Sequence, residues 1–179
     1  MKKGLVVIIL VIVFILILLG IILYMTIERT VTNREDLYGK VEEYLISLEE
    51  QHYVLETKES TPNYDINDFK VFTDIQKLGI KQKGNQFYVY VWATVQSYYV
   101  QDNQLEINSG YSGPRKFIIE NDEVIDCIET KDGTEYTKSI EENFPEDIRE
   151  KMETLDVDSR NINIKQKVDE YYAYLNENE

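Results

Sequence analysis

The chain has 179 residues, with 33 Asp and Glu against 19 Lys and Arg, a formal charge of −14. All 33 acids but only 17 of the 19 bases follow residue 27, so residues 28–179 carry a formal −16. Such a surface repels phosphate backbones, and with no basic stripe in the sequence it excludes nucleic acid as a partner; a single cysteine, Cys127, excludes an internal disulfide.

The chain opens MKKGLVVIILVIVFILILLGIILYMTIER. No charged side chain lies between Leu5 and Met25. As a helix that stretch is about 31 Å long, matching a hydrocarbon core of about 30 Å. A cleavable signal has a shorter apolar core followed by a small-x-small site, and neither feature is present. No cysteine stands near its end for lipid attachment. Tyr24 suits the headgroup region, and Lys2 and Lys3 with the terminal amine favour a cytoplasmic N-terminus, although Arg29, Arg34 and Lys40 flank the other side. The expectation is a transmembrane anchor at 1–27, a juxtamembrane linker at 28–32 and an extracytoplasmic α+β domain at 33–179. It places the protein in the cell membrane as a single-pass chain with its C-terminal domain outside. About 150 residues is one domain with a real core.

Asn33 reads as the N-cap of the first helix of that domain, with Glu35 and Asp36 at its positive end. Leu37, Val41, Tyr44, Leu45, Leu48, His52 and Leu55 then recur at three- and four-residue steps as one apolar stripe, leaving Glu42, Glu43, Glu49 and Glu50 on solvated faces. The helix is expected to end before Ser60-Thr-Pro62. Residues 69–80 and 87–100 read as a hairpin about Lys83-Gly84-Asn85. A short strand at 105–107, a turn-rich loop at 108–114 and a second hairpin, 115–120 with 123–129, turning at Asn121-Asp122, follow. After a turn at Lys131-Asp-Gly133, Ser139, Ile140, Phe144, Ile148 and Met152 have helical spacing, and Pro145 leaves open one helix or two. Asp158 or Ser159 is the expected cap of a final helix. The fold class is therefore α+β: one helix against a curved antiparallel sheet of about five strands, cystatin-like or nuclear-transport-factor-like in arrangement, with C-terminal helices.

No catalytic constellation emerges. His52 is the sole histidine and reads as a surface or helix-edge residue: no second histidine completes a zinc site, a Ser-His-Asp triad would have to use His52 itself, and no Gly-x-Ser-x-Gly turn or phosphate-cradling glycine loop is present. Cys127 sits between acidic neighbours in a strand, the setting of a packed, inert thiol. Asp65, Asn67 and Asp68 begin like a calcium loop, but Lys70 and Gln76 stand where its glycine and closing glutamate belong. The expectation is a non-enzyme without metal or cofactor. Tyr88, Tyr90 and Trp92 share one strand face and form the candidate ligand or partner face, or else pack beneath a terminal helix against Tyr171, Tyr172 and Tyr174.

The stretch 109–148 resembles an uncharacterised extracytoplasmic domain of low-GC Gram-positive bacteria, through Gly110, Pro114, Asp132-Gly133, Tyr136, Ile140 and Phe144-Pro145. That domain occurs in small anchored proteins and beside metallopeptidase regulators of the β-lactam-sensing type. The resemblance implies an accessory or sensor-like module and no peptidase, since a His-Glu-x-x-His motif is missing here. The expected function is a membrane-anchored extracytoplasmic binding or sensor-like module whose partner is another envelope or membrane protein, or a small ligand. An immunity or inhibitor-like protein against an exported toxin or hydrolase is one alternative, and an assembly component of an envelope or conjugative secretion machine is another.

Overall fold

A computed structural model describes residues 2–27, 29–60, 69–101 and 104–177. Among them the elements run α1 (Lys2–Thr26), β1 (Arg29–Thr30), α2 (Asp36–Ser60), β2 (Phe69–Lys83), β3 (Gln86–Gln101), β4 (Gln104–Glu120) and β5 (Glu123–Glu129). A 3₁₀ turn at Gly133–Glu135 leads into α3 (Tyr136–Asn143), α4 (Glu146–Glu153) and α5 (Val157–Glu177). The five strands form one antiparallel meander in the order β1-β2-β3-β4-β5. The fold is α+β.

The α1 helix is 25 residues long, about 37 Å at 1.5 Å per residue. Its described side chains, at 10–24, are apolar apart from Tyr24 and are exposed. Over those positions alone the run covers about 22 Å, short of a bilayer core of about 30 Å. No helix is long and apolar enough to cross a membrane when only described residues are counted.

Alternation along β3 builds two cores. Val89, Val91, Ala93 and Val95, with Phe117 and Ile119 beside them on β4, face α2, where Leu37, Tyr38, Val41 and Leu45 cover them. The even-numbered side chains face the C-terminal helices, where Tyr90 and Leu78 pack on Phe144 and Ile148. The sheet is thus covered on both faces, because β3 is apolar or aromatic at nearly every position and leaves no polar side to turn to water. The end of the sheet where β3 begins and β4 finishes, Gln86 opposite Glu120, is fixed by turn chemistry. Gly84 occupies the first central position of the β2–β3 turn with φ 61°, as a II′ turn requires, and Asn121 and Asp122 both have positive φ, 51° and 66°, as in a I′ turn.

Several expectations are corrected. The α2 helix starts at Asp36, three residues beyond the proposed Asn33 cap. Arg34 is bound to Asp36 at 2.9 Å and to Asp122 at 3.4 Å, and lies over the Phe87 ring, so the residues before the helix are tied to the β4–β5 turn rather than wound into a cap. The buried row of α2 is Leu37, Val41, Leu45, Glu49 and Tyr53, an i, i+4 series; His52 is exposed instead of lying in the stripe. The expected strand 105–107, loop 108–114 and strand 115–120 are one strand, β4. It pairs with β3 throughout, with Ser109 opposite Ser97, Gly110 opposite Gln96 and Pro114 opposite Trp92. The turn-forming residues extend because β3 offers them a hydrogen-bonding ladder, and the irregularity they impose is confined to a bulge at Asn108. The fifth strand of the sheet is β1, which the sequence reading missed. Of the one helix or two that Pro145 left open, the chain forms two, α3 and α4, ahead of α5, since Phe144 is extended (φ −120°, ψ 120°) and Pro145 caps α4. Asp158 and Ser159 fall within α5, which begins at Val157. The residues of the failed calcium loop, Asp65, Asn67 and Asp68, lie outside the described residues.

Candidate functional site

The three aromatic residues of β3 share a face, as alternation requires, but they do not form an open row. Tyr90, 1% exposed, packs against Phe144 with ring centroids 5.8 Å apart. Tyr88 is half-buried; its hydroxyl donates to Gln86 Oε1 at 3.0 Å and Lys116 Nζ sits 5.1 Å above its ring. Trp92 alone reaches a groove. The expected cover by C-terminal tyrosines is replaced by the α3–α4 junction. Tyr171 instead meets Phe72, at 5.8 Å, while Tyr172 and Tyr174 are exposed. The Phe144-Pro145 break explains the exchange, because it folds α3 and α4 into a short helical corner that fits over Tyr90.

The groove, about 430 Å³, lies between Trp92 and this corner. Tyr136, Thr137, Ile140 and Glu141 from α3 line one side, and Arg149, Met152 and Glu153 from α4 the other. Trp92 is held by its indole N–H, which donates to Ser112 Oγ at 2.9 Å, and Ser112 Oγ is also 2.9 Å from Thr94 Oγ1. Ser139 fixes the start of α3: its hydroxyl accepts from the Lys131 N–H at 3.0 Å and donates to the Tyr136 carbonyl at 2.8 Å. Two aromatics, a thioether and a branched aliphatic flanked by both charge signs make an amphipathic slot suited to an apolar group with a polar edge.

A second, smaller cavity of about 150 Å³ lies on the far side of β4, where β5 ends. It is lined by Tyr111, Gly113, Pro114, Arg115, Glu129 and Asp132 among others. The Arg115 side chain is 9% exposed, binds Glu129 at 2.8 Å and lies 3.9 Å over the Tyr111 ring. Arg115 Nη1 and the Tyr111 hydroxyl are buried without a hydrogen-bond partner. Burial raises the Tyr111 phenol well above its ordinary range, with Arg115 opposing the shift. Next to it, burial pushes the Cys127 thiol up to about 11, again against the pull of Arg115. Cys127 packs against the α2-side core, as its strand setting suggests.

Sequence reasoning missed this polar layer. Glu49 is 9% exposed and accepts a hydrogen bond from Ser109 Oγ at 3.3 Å, while Ser109 and Ser97 hydroxyls lie 2.8 Å apart. Thr73 Oγ1 donates to Glu42 Oε1 at 2.5 Å. The signal for Glu49 was its place four residues after Leu45 and four before Tyr53. No group of three or more His, Cys, Asp or Glu residues could hold a metal among the described residues. Of the positions carrying the family resemblance, Tyr136 and Ile140 line the larger groove, Phe144 and Pro145 form its corner, Asp132-Gly133 the turn before α3, and Gly110 and Pro114 lie within β4 rather than ahead of a strand.

No family model, curated protein or solved structure matches the chain.

Proposed function

We propose that this protein is a non-enzymatic binding or sensor-like module, anchored in the cell membrane by α1 with its α+β body outside. The reading is carried by the groove at Trp92, an amphipathic slot of about 430 Å³ that sets aromatic and apolar side chains beside charged ones. The anchor is supported by the uncharged run Leu5–Met25, and the outward orientation by the compact Lys2–Lys3 cluster ahead of it. The order of one helix followed by a meander supports the cystatin-like or nuclear-transport-factor-like arrangement, which has no functional content of its own. The occupant of the groove is an apolar side chain of another envelope protein or a small extracellular ligand.

Trp92 is the sole tryptophan, so emission excited selectively at tryptophan, apart from the 14 tyrosines, comes from this groove. Titrating the full chain in mild detergent with 8-anilinonaphthalene sulfonate should quench Trp92 emission by energy transfer to the dye. Tyr136 is 38% exposed and outside both cores, so Tyr136→Ala should leave the fold intact and weaken that binding by about tenfold, the loss of roughly one aromatic contact. Unchanged Trp92 emission at saturating dye, or equal affinity in the variant, would remove the groove as a binding site.

A further inference from the structure

The two long edges of the meander are treated differently. On the β2 side, lysines from the C-terminal helices occupy backbone carbonyls: Lys167 Nζ donates to Thr73 O and Lys151 Nζ to Leu78 O, both at 2.6 Å. Gln76 Nε2 further reaches the Asp156 carbonyl at 3.5 Å. That edge is closed to another strand by charge and by cover. On the other side, β5 pairs with β4 only from Arg115 to Glu120. Between the Asn108 bulge and Pro114, the segment Ser109–Gly113 pairs with β3 on one side, and on the other has no strand partner among the described residues. It carries no charged side chain, and Ser109, Gly110 and Ser112 are exposed. Alternate residues of this segment turn their N–H and C=O to the open side, a short ladder for strand addition, in which backbone hydrogen bonds supply affinity and a neighbouring pocket supplies selectivity.

Such a pocket stands in line with it. The cavity of about 150 Å³ opens where β5 stops, so a strand continuing the path of β5 along Ser109–Gly113 begins there. Its charges are unbalanced: Arg115 is matched by Glu129, leaving Asp132 at the wall and Glu49 close enough to act on Tyr111. Its two unpartnered buried donors, Arg115 Nη1 and the Tyr111 hydroxyl, lack an acceptor that the carbonyls of an added chain carry. A second copy of this domain would bring another formal −16 against the same acidic rim. We propose that the free β4 edge at Ser109–Gly113, with the adjoining Tyr111–Arg115–Asp132 pocket, docks an extended, cationic strand of a partner protein. This slot is separate from the Trp92 groove and stands whether or not that groove is a binding site.

The test uses the full chain in mild detergent and two fluorescent nine-residue peptides, one alternating Val/Thr with Lys and one alternating Val/Thr with Glu. Anisotropy should show the Lys peptide binding at least tenfold more tightly, and hydrogen exchange of the 109–113 amides should slow at least tenfold in its presence. A Cβ on Gly113 meets nothing within 4 Å, so Gly113→Lys introduces its Cβ without a clash and brings an ammonium to the slot. It should lower Lys-peptide affinity at least tenfold with an unchanged Tm, and Asp132→Asn should lower it about threefold. Equal binding of the Glu peptide, protection outside 109–113, or protection of 109–113 that rises with protein concentration and needs no peptide would each overturn the proposal, the last in favour of a second copy.

Discussion

Buried ionisable side chains in this protein are placed by the partner across from them. Glu49 sits in the middle of an apolar row yet is tolerated because Ser109, backed by Ser97, supplies a hydroxyl at its level of the sheet. Cys127 illustrates the opposite case, a thiol whose surroundings favour the neutral form. Its folded pKa of about 11 lies above the ordinary value of 9.0 because burial outweighs the opposing Arg115 charge. A raised folded pKa stabilises the native state fully below pH 9, and the contribution is lost as pH rises towards 11, where the unfolded thiol ionises first. The urea midpoint of the native protein should therefore fall between pH 9 and 11 more steeply than that of Cys127→Ala. At pH 8, iodoacetamide should modify Cys127 far more slowly in the native than in the unfolded protein. Parallel pH curves for the two proteins, or equal alkylation rates, would contradict this account.

At the scale of elements, the sheet is shaped by irregularities that its helices then use. The extra residue at Leu78 breaks the β2–β3 register between Lys77 and Gly79, turns Leu78 into the core beneath α4, and leaves its carbonyl for Lys151. Gly79 is needed there because a Cβ would stand 2.8 Å from Ile148 Cδ1, and Ile148 is 1% exposed. Gly79→Ala should cost about 1–3 kcal/mol through overpacking. Ile148→Val removes the clashing atom, so in the double variant the two penalties should be less than additive by at least 0.5 kcal/mol or so in a denaturation cycle. Strict additivity would place the cost in the backbone of Gly79 rather than in its contact with α4. The Phe144-Pro145 break is a comparable device. A continuous helix through that point would run off the sheet, whereas two short helices lay Phe144 and Ile148 on Tyr90 and leave the Trp92 groove between them.

The whole molecule is a covered sheet joined to its apolar N-terminal helix by a very short link. Between the end of α1 at Thr26 and the start of β1 at Arg29 lie two residues, so the end of α1 stands within about 10 Å of Arg29, which pairs with Gln82. Arg29 also lies over the Tyr24 ring at 4.1 Å. With α1 in a bilayer, the turn at Gly84 is the end of the body nearest to it. Removing residues 1–27 should release the protein from membranes that otherwise retain it through an alkaline carbonate wash. The released body should melt within about 3 °C of the full chain, since neither core draws on α1. Loss of the intact chain in the carbonate wash would refute the anchor.

Patterning alone determined much of this. The period-two alternation of β3, the two hairpin turns and the 3.6-residue spacing of α2 are local signals, fixed by sterics within a few residues, and they were legible residue by residue. Contacts between distant segments decided the rest. Asn108–Pro114 reads as a loop until β3 lies beside it, because Gly, Ser, Asn and Pro favour turns locally and extend only where pairing with a neighbouring strand outweighs that preference. The two-residue β1 carries no local signal at all, and α2 turns Glu49 rather than His52 inward because the serines that receive it lie some 50 and 60 positions further on. The candidate site divides the same way. Sequence placed Tyr88, Tyr90 and Trp92 on one face, but only the packing of Phe144 over Tyr90 determined that Trp92 alone would line an open groove, since which part of a face stays uncovered depends on where the other chain segments come to rest.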